Sequence, residues 1–131
     1  MKLLLETHLF LWWTVEPEKL PKGAMELIGD STAQILLSAA STWEIRIKTA
    51  LGRLELREPL RTIVEREISQ NGFKLLPVTF EHTERLSSLP LLHRDPFDRI
   101  LIAESIAEEA ELVTTDPAIR AYPDIPVRYF G

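Results

Sequence analysis

Short apolar runs alternate with longer segments of helical periodicity along this chain, and that alternation limits the folds open to it. Most of the runs lack polar alternation, which is typical of strands buried on both faces. Parallel strands need crossover connections, and the helical segments between the runs supply them. We therefore predict an α/β fold, a three-layer α/β/α sandwich with a central parallel sheet. The predicted strands are residues 2–6, 34–38, 74–78, 111–115 and 127–130.

The helical segments are bounded by recognisable signals. Gly52 and Gly72 follow two of them and suit the residue that ends a helix. Ser41 and Glu44 fit a capping box, S-x-x-E, at the start of another. The predicted helices are residues 8–15, 21–30, 41–51, 60–70, 80–89 and 96–109, with a helical turn at 117–121.

Length and composition narrow the class of protein. The 131 residues fit one domain, residues 1–131. The absence of cysteine excludes a disulfide scaffold, zinc fingers and thiol catalysis, and it suits a reducing cytoplasm, where we expect the protein to act. A net charge of −5 argues against a broad basic face for nucleic acid. No segment approaches the ~20 apolar residues of a membrane span, so no membrane association is expected.

Four carboxylates fall near the carboxyl ends of the predicted strands or at helix starts: Glu6, Glu44, Asp98 and Asp116. The carboxyl ends of parallel strands share one edge of the sheet, so we expect these side chains to converge. Their mutual repulsion would be relieved by a divalent cation, and oxygen ligands favour Mg²⁺ or Mn²⁺ over zinc. Such a cation is suited to phosphoryl chemistry.

Each acid also has a purely structural interpretation. Asp95 is a good N-cap for the helix that starts at Pro96, which leaves Asp98 near the helix dipole. Glu44 fits the capping box, and Asp116 can cap the helical turn after it. Glu6 has no comparable capping explanation. Both interpretations stay open, because one carboxylate oxygen can cap a helix while the other binds a metal.

The histidines do not identify a functional site from sequence alone, and the common nucleotide-binding and serine hydrolase motifs are absent. His8 could bind metal or substrate, but a partly buried structural donor is the commoner case. His82 and His93 show no metal-ligand spacing. There is no P-loop, G-x-S-x-G or G-x-G-x-x-G, so nucleotide kinases, serine hydrolases and dinucleotide enzymes lack their signatures.

Four segments resemble the motifs of PIN-domain proteins, in order and over nearly the whole chain. They are residues 3–8 (LLLETH), 38–45 (SAASTWEI), 93–103 (HRDPFDRILIA) and 112–116 (LVTTD). The nearest group is the VapC-like ribonuclease toxins of toxin–antitoxin pairs. The resemblance implies a PIN-like α/β/α fold and an endoribonuclease that uses Mg²⁺ or Mn²⁺ to activate water against RNA phosphodiester bonds.

The resemblance also implies residue roles. Glu44, Asp98 and Asp116 match the family's acidic, metal-binding and catalytic positions, and Asp95 matches an outer or capping residue. Glu6 stands where the family has an aspartate that binds the metal directly. Glutamate keeps the charge but adds a methylene. This departure raises an alternative: a PIN-fold module that binds RNA or an antitoxin, with weakened or lost cleavage.

Partners follow from the same resemblance: an RNA substrate, a cognate antitoxin protein and a second copy in a homodimer, to which Phe10, Trp12 and Trp13 are expected to contribute. A third hypothesis, a haloacid-dehalogenase-type phosphatase, requires D-x-D after the first strand, where this chain has ETH. The candidate substrate contacts are Arg99, Thr114, Thr115 and Arg46, followed by Lys48 and Arg53.

Overall fold

The computed structural model describes residues 1–131 and contains one five-stranded parallel sheet with strand order β3-β2-β1-β4-β5. The strands are β1 (Lys2–Leu5), β2 (Gln34–Ser38), β3 (Lys74–Leu76), β4 (Glu111–Thr114) and β5 (Val127–Tyr129). The helices are α1 (Thr7–Thr14), α2 (Lys22–Ile28), α3 (Ala39–Ala50), α4 (Leu60–Asn71), α5 (Phe80–Arg85), α6 (Pro96–Glu108) and α7 (Pro117–Arg120). None of these helices combines the length and the apolar character needed to cross a bilayer.

Two hydrophobic cores, one on each face of the sheet, confirm the three-layer prediction. Successive residues of a strand point to opposite faces, so Leu3 and Leu5 contribute to one core and Leu4 to the other. The first core is completed by residues of α1, α2 and α4, among them Phe10. The second is completed by α6 and α7, through residues that include Leu101 and Ile119. Burial on both faces explains the uninterrupted apolar runs of the strands.

The central position of β1 determines where a functional site can lie. Leu3 pairs with Ile35 of β2, and Leu4 pairs with Leu112 of β4, both in parallel register. The carboxyl ends of these three strands therefore meet at one edge of the sheet. The residues that follow them, and the first turns of the helices they feed, face one another there.

The start of α3 differs from the prediction. Ser38 at the end of β2 caps the helix by accepting a hydrogen bond from the Ala40 N–H at 3.0 Å, so α3 begins at Ala39 rather than at Ser41. The predicted capping box is therefore wrong. Ser41 lies inside the helix, fully buried, and its Oγ accepts a 2.9 Å hydrogen bond from the Thr7 hydroxyl of α1. This buried bond ties α1 to α3, the helix that carries Glu44.

The expected aromatic contribution to a homodimer needs correction at one residue. Phe10 is completely buried and packs against Phe73, so it belongs to the core and offers nothing to a second copy. Trp13 stacks on the same ring, with its indole N–H donating to Glu67 Oε1 at 2.7 Å. Trp12 is half-buried.

A buried polar network fixes the end of β2 on α6. Glu104 of α6 is completely buried and accepts a 2.5 Å hydrogen bond from the Ser38 hydroxyl. His82 of α5 lies beside it, 3.0 Å from Glu108 Oε2. Burial raises the pKa of Glu104 to about 7, although the Ser38 hydrogen bond opposes the shift. At and above neutral pH Glu104 therefore carries a buried negative charge, which lowers the stability of the folded protein.

Replacing Glu104 by glutamine is expected to stabilise the protein at pH 8. An unfolded glutamate ionises near pH 4.3, so the folded state loses stability as pH rises from there through about 7. Glutamine can still accept from Ser38 and carries no charge to bury. We expect the melting temperature to rise by several degrees at pH 8 and to be unchanged or lower at pH 4.5, measured by circular dichroism. A lower melting temperature at pH 8 would contradict this account.

Candidate metal centre

Glu6 lies at the end of β1 and caps α1. Its Oε2 accepts a 2.5 Å hydrogen bond from the His8 N–H and lies 3.1 Å from His8 Nδ1. The expectation that Glu6 has no capping explanation comparable with those of the other acids is therefore wrong, because its carboxylate turns back onto the first turn of α1. Glu6 is only 3% exposed. The hydrogen bond to its carboxylate is the main cause of a raised pKa at His8.

Glu44 projects from the buried face of α3. Its Oε2 forms a 2.9 Å ion pair with Lys48 Nζ one turn later. Its Oε1 is buried and has no hydrogen-bond partner. Burying a carboxylate oxygen without a hydrogen-bond partner costs free energy, so Glu44 Oε1 is a candidate to bind a cation or a water molecule.

Asp95 and Asp116 both confirm their predicted capping roles. Asp95 Oδ1 accepts the N–H groups of Phe97 and Asp98, which fixes the first turn of α6. Asp116 Oδ1 accepts the Ala118 N–H at 2.9 Å at the start of α7. The second oxygen of Asp116, Oδ2, remains available to face the site.

Three side chains come together at the carboxyl edge of the sheet: His93, Asp98 and Asp116. His93 Nε2 lies 2.8 Å from Asp98 Oδ2 and 3.5 Å from Asp116 Oδ2. One ligand atom from each of the three residues falls within 4.8 Å of the others. Their donors, two carboxylate oxygens and one imidazole nitrogen, form a set that can hold a divalent cation.

Electrostatics link Glu6 and Glu44 to this cluster. The pKa of Asp98 is raised to about 7, first by burial and then by the negative charges of Glu6 and Asp95; His93 opposes the shift and Glu44 adds to it. The predicted crowding of acids is therefore present. Glu6 and Glu44 are close enough to perturb Asp98, yet they lie outside the tight group of three and each is paired with its own basic side chain.

His93 is the site residue that the sequence analysis missed. No ligand spacing marks it, and it reaches the cluster through the loop between α5 and α6. Its N–H donates to the Tyr122 hydroxyl at 2.9 Å. The Arg99 guanidinium donates to the same hydroxyl at 3.0 Å and to the carbonyl of Pro90 at 2.9 Å. Arg99, a predicted phosphate contact, is thus engaged in holding this loop.

The other predicted substrate contacts differ in how exposed their side chains are. Thr114 is buried, and its hydroxyl accepts the Asp116 N–H at 3.0 Å, so it orients that acid. Thr115 is half-buried, and Arg46 is exposed on α3. A groove of about 480 Å³ adjoins the acids and has three basic side chains in its lining: Lys48, Arg53 and Arg94.

These observations define an acidic centre of a parallel α/β fold, and sequence comparison identifies the family. The sequence profile of the PIN domain matches residues 3–125. The chain belongs to the PIN domain family. This confirms the resemblance drawn from the four sequence segments.

Individual relatives agree with this assignment. Ribonuclease VapC22 of Mycobacterium tuberculosis (strain ATCC 25618 / H37Rv) is 25% identical over 121 residues, which make up 92% of this chain and 91% of that protein. The crystal structure of VapBC2 from Rickettsia felis, bound to a DNA fragment from its promoter, is similar with a TM-score of 0.74 at 16% identity, covering 100% of both chains. FitAcB from Neisseria gonorrhoeae is similar with a TM-score of 0.61 at 16% identity, covering 98% of this chain and 96% of that one.

Proposed function

We propose that this chain, as one PIN domain over residues 1–131, is a metal-dependent endoribonuclease and the toxin of a toxin–antitoxin pair. The observation that carries the proposal is the pair Asp98 and Asp116, placed side by side at the carboxyl edge of the sheet with Glu6 and Glu44 buried next to them. The similarity to ribonuclease VapC22 supports RNA as the substrate.

The acids fit a divalent cation by their chemistry. Asp98 and Asp116 would hold it with one oxygen each, and the unpaired Glu44 Oε1 is available as a further ligand or as the acceptor of a ligand water. A bound Mg²⁺ or Mn²⁺ supplies activation of water and stabilisation of the developing phosphate charge. Asp95 and Thr114 keep the acids in place by fixing the start of α6 and the backbone at Asp116.

The basic groove beside the acids is the proposed RNA-binding surface of this acidic protein. Lys48, Arg53 and Arg94 line it on the side that also carries Glu44 and Asp95. Phosphates in this groove would lie next to the cation site, and their binding should weaken as salt is raised. The groove replaces Arg99 as the main proposed phosphate contact, while Thr115 and Arg46 are not among the residues that line it.

The proposed partners are a cognate antitoxin, the RNA substrate and a second copy of the chain. The similarity to VapBC2 and FitAcB supports the antitoxin. We place the protein in the cytoplasm, in keeping with a chain that has no cysteine.

RNA cleavage is expected to stop in EDTA and to resume when Mg²⁺ or Mn²⁺ is added back in excess. Products should carry a 5′ phosphate, because activated water rather than the RNA 2′-hydroxyl is the nucleophile. End-labelled RNA and a phosphatase step distinguish the two product types. Products with a 2′,3′-cyclic phosphate, formed in EDTA, would refute the metal-dependent mechanism.

The alternative, a binding module with little cleavage, is favoured by one observation. The Glu6 Oε2 atom is held by His8, and Glu6 is not part of the group formed by His93, Asp98 and Asp116. Under this alternative the chain would bind RNA or its antitoxin in the groove, with no metal-dependent products even at high protein concentration.

A further inference from the structure

We propose that His93 Nε2 is a direct ligand of the cation, and that this nitrogen makes the site prefer Mn²⁺ to Mg²⁺. The inference rests on the proposed function, since it concerns the same metal. The ion that we expect this site to bind is therefore Mn²⁺, a first-row transition metal.

The distances in the cluster match those between neighbouring ligands of one ion. Adjacent ligands of an octahedral ion with bonds of ~2.1 Å are ~3.0 Å apart. His93 Nε2 lies 2.8 Å from Asp98 Oδ2 and 3.5 Å from Asp116 Oδ2, on either side of that value. The ring therefore occupies a ligand position with little rearrangement.

Two buried atoms at this site lack hydrogen-bond partners, and both are potential ligands. His93 Nε2 has no hydrogen bond of acceptable geometry, although Asp98 Oδ2 is 2.8 Å away. Glu44 Oε1 is also unpaired, on a side chain that is only 7% exposed. A cation held by the group of three would supply the missing partner of His93 Nε2.

The surroundings of the ring suit coordination through Nε2. Binding by this atom places the ring proton on Nδ1, whose contact is a long 3.4 Å one from the Asp95 N–H. Little hydrogen bonding is lost as a result. The Tyr122 hydroxyl, which accepts from the His93 N–H, anchors the backbone that carries the ring.

A nitrogen ligand changes which ion the site favours. Glu6, whose Oε2 accepts from His8, is not part of the group of three, so that group offers two carboxylate oxygens and one imidazole nitrogen. Mg²⁺ binds through oxygen ligands and water, whereas an imidazole nitrogen adds affinity for first-row transition metals, so we expect the site to favour Mn²⁺ over Mg²⁺.

Pulsed electron paramagnetic resonance of Mn²⁺ bound to the full chain without RNA tests the ligand directly. We expect a directly coordinated ¹⁴N coupling that changes to a ¹⁵N signal when the protein is labelled with ¹⁵N-histidine. The coupling should disappear in His93→Gln and persist in His8→Gln, the matched control at the other histidine near the acids. Mn²⁺ affinity should fall about fivefold or more in His93→Gln, and Mg²⁺ affinity, measured by competition, should change less than twofold.

Each result has a distinct meaning. Bound Mn²⁺ without histidine coupling in the unmutated protein would overturn the role of His93 and leave the proposed nuclease function intact. Coupling that disappears in His8→Gln but not in His93→Gln would assign the ligand to His8 and overturn the inference. Failure to bind Mn²⁺ or Mg²⁺ at millimolar concentration would refute the proposed function together with the inference. If His93→Gln does not fold, the ¹⁵N-labelled unmutated chain shows whether a histidine coordinates the ion, and His8→Gln then shows whether that histidine is His8.

Discussion

Asp98→Asn is expected to lower the RNA cleavage rate about a thousandfold or more, equivalent to ~4 kcal/mol of barrier. Asp98 contributes one of the two carboxylate oxygens that lie within 4.8 Å of each other and of His93. Asparagine keeps the size and one oxygen but removes the charge that holds the cation. Because Asp95 is the N-cap of α6, the helix start should survive the change. Single-turnover cleavage at saturating Mn²⁺ measures the effect.

The same variant should be more stable than the unmutated chain when metal is absent. The pKa of Asp98 is raised to about 7 by burial and by the charge of Glu6. An unfolded aspartate ionises near pH 3.9, so the raised pKa costs stability that grows from about pH 4 and is complete above about pH 7. We expect a melting temperature several degrees higher at pH 8 in EDTA, and no gain at pH 4.

Stabilisation by added Mn²⁺ and a control variant separate the loss of metal binding in Asp98→Asn from its gain in stability. Excess Mn²⁺ should stabilise the unmutated chain more than Asp98→Asn, because the ion binds the folded state. Asp124→Asn removes an equal charge from an exposed turn and should change neither cleavage nor the Mn²⁺ response. Equal Mn²⁺ stabilisation of Asp98→Asn and the unmutated chain would show that Asp98 does not bind the ion.

The fold could be predicted because its signals are local. Each predicted run became a strand, and β1, β2 and β4 are largely buried, as their uninterrupted apolar residues indicated. Gly52 and Gly72 take the left-handed conformation at φ +72° and +68°, as their places after helices indicated. The sequence misplaced the start of α3 because two serines near it are both good caps, and only the strand end at Ser38 decides between them.

The site could be predicted only where a residue follows a strand or starts a helix. Asp98 and Asp116 met that condition. His93 did not, because a hydrogen bond to Tyr122, 29 residues away, brings its loop to the acids. The face of α3 was also hard to predict. Its buried side includes the polar residues Ser41 and Glu44, while the apolar Trp43 is 63% exposed, so the apolar pattern alone does not identify the buried face.

We expect Glu6 to determine how active this chain is as a nuclease. Its carboxylate is buried, accepts the His8 N–H and is the largest charge acting on Asp98. A glutamate here adds its negative charge to the site without joining the group of close ligands. Aspartate is a better N-cap than glutamate, so a shorter acid could keep α1 capped while its second oxygen faces the metal.

Glu6→Asp is therefore expected to increase the cleavage rate at saturating metal about tenfold or more, which corresponds to ~1.4 kcal/mol of barrier. Catalytic geometry tolerates only ~0.5 Å of error, and the change moves a charged oxygen by more than that. RNA affinity, measured with Ca²⁺ in place of Mg²⁺, should change little, because it depends on phosphate contacts along the basic groove. Glu6→Gln is the matched control: it keeps the length, removes the charge and should not increase the rate as aspartate does. If Glu6→Asp cleaved no faster than the unmutated chain, the glutamate would be an adequate part of the site, and its contact with His8 would have to open when the metal binds.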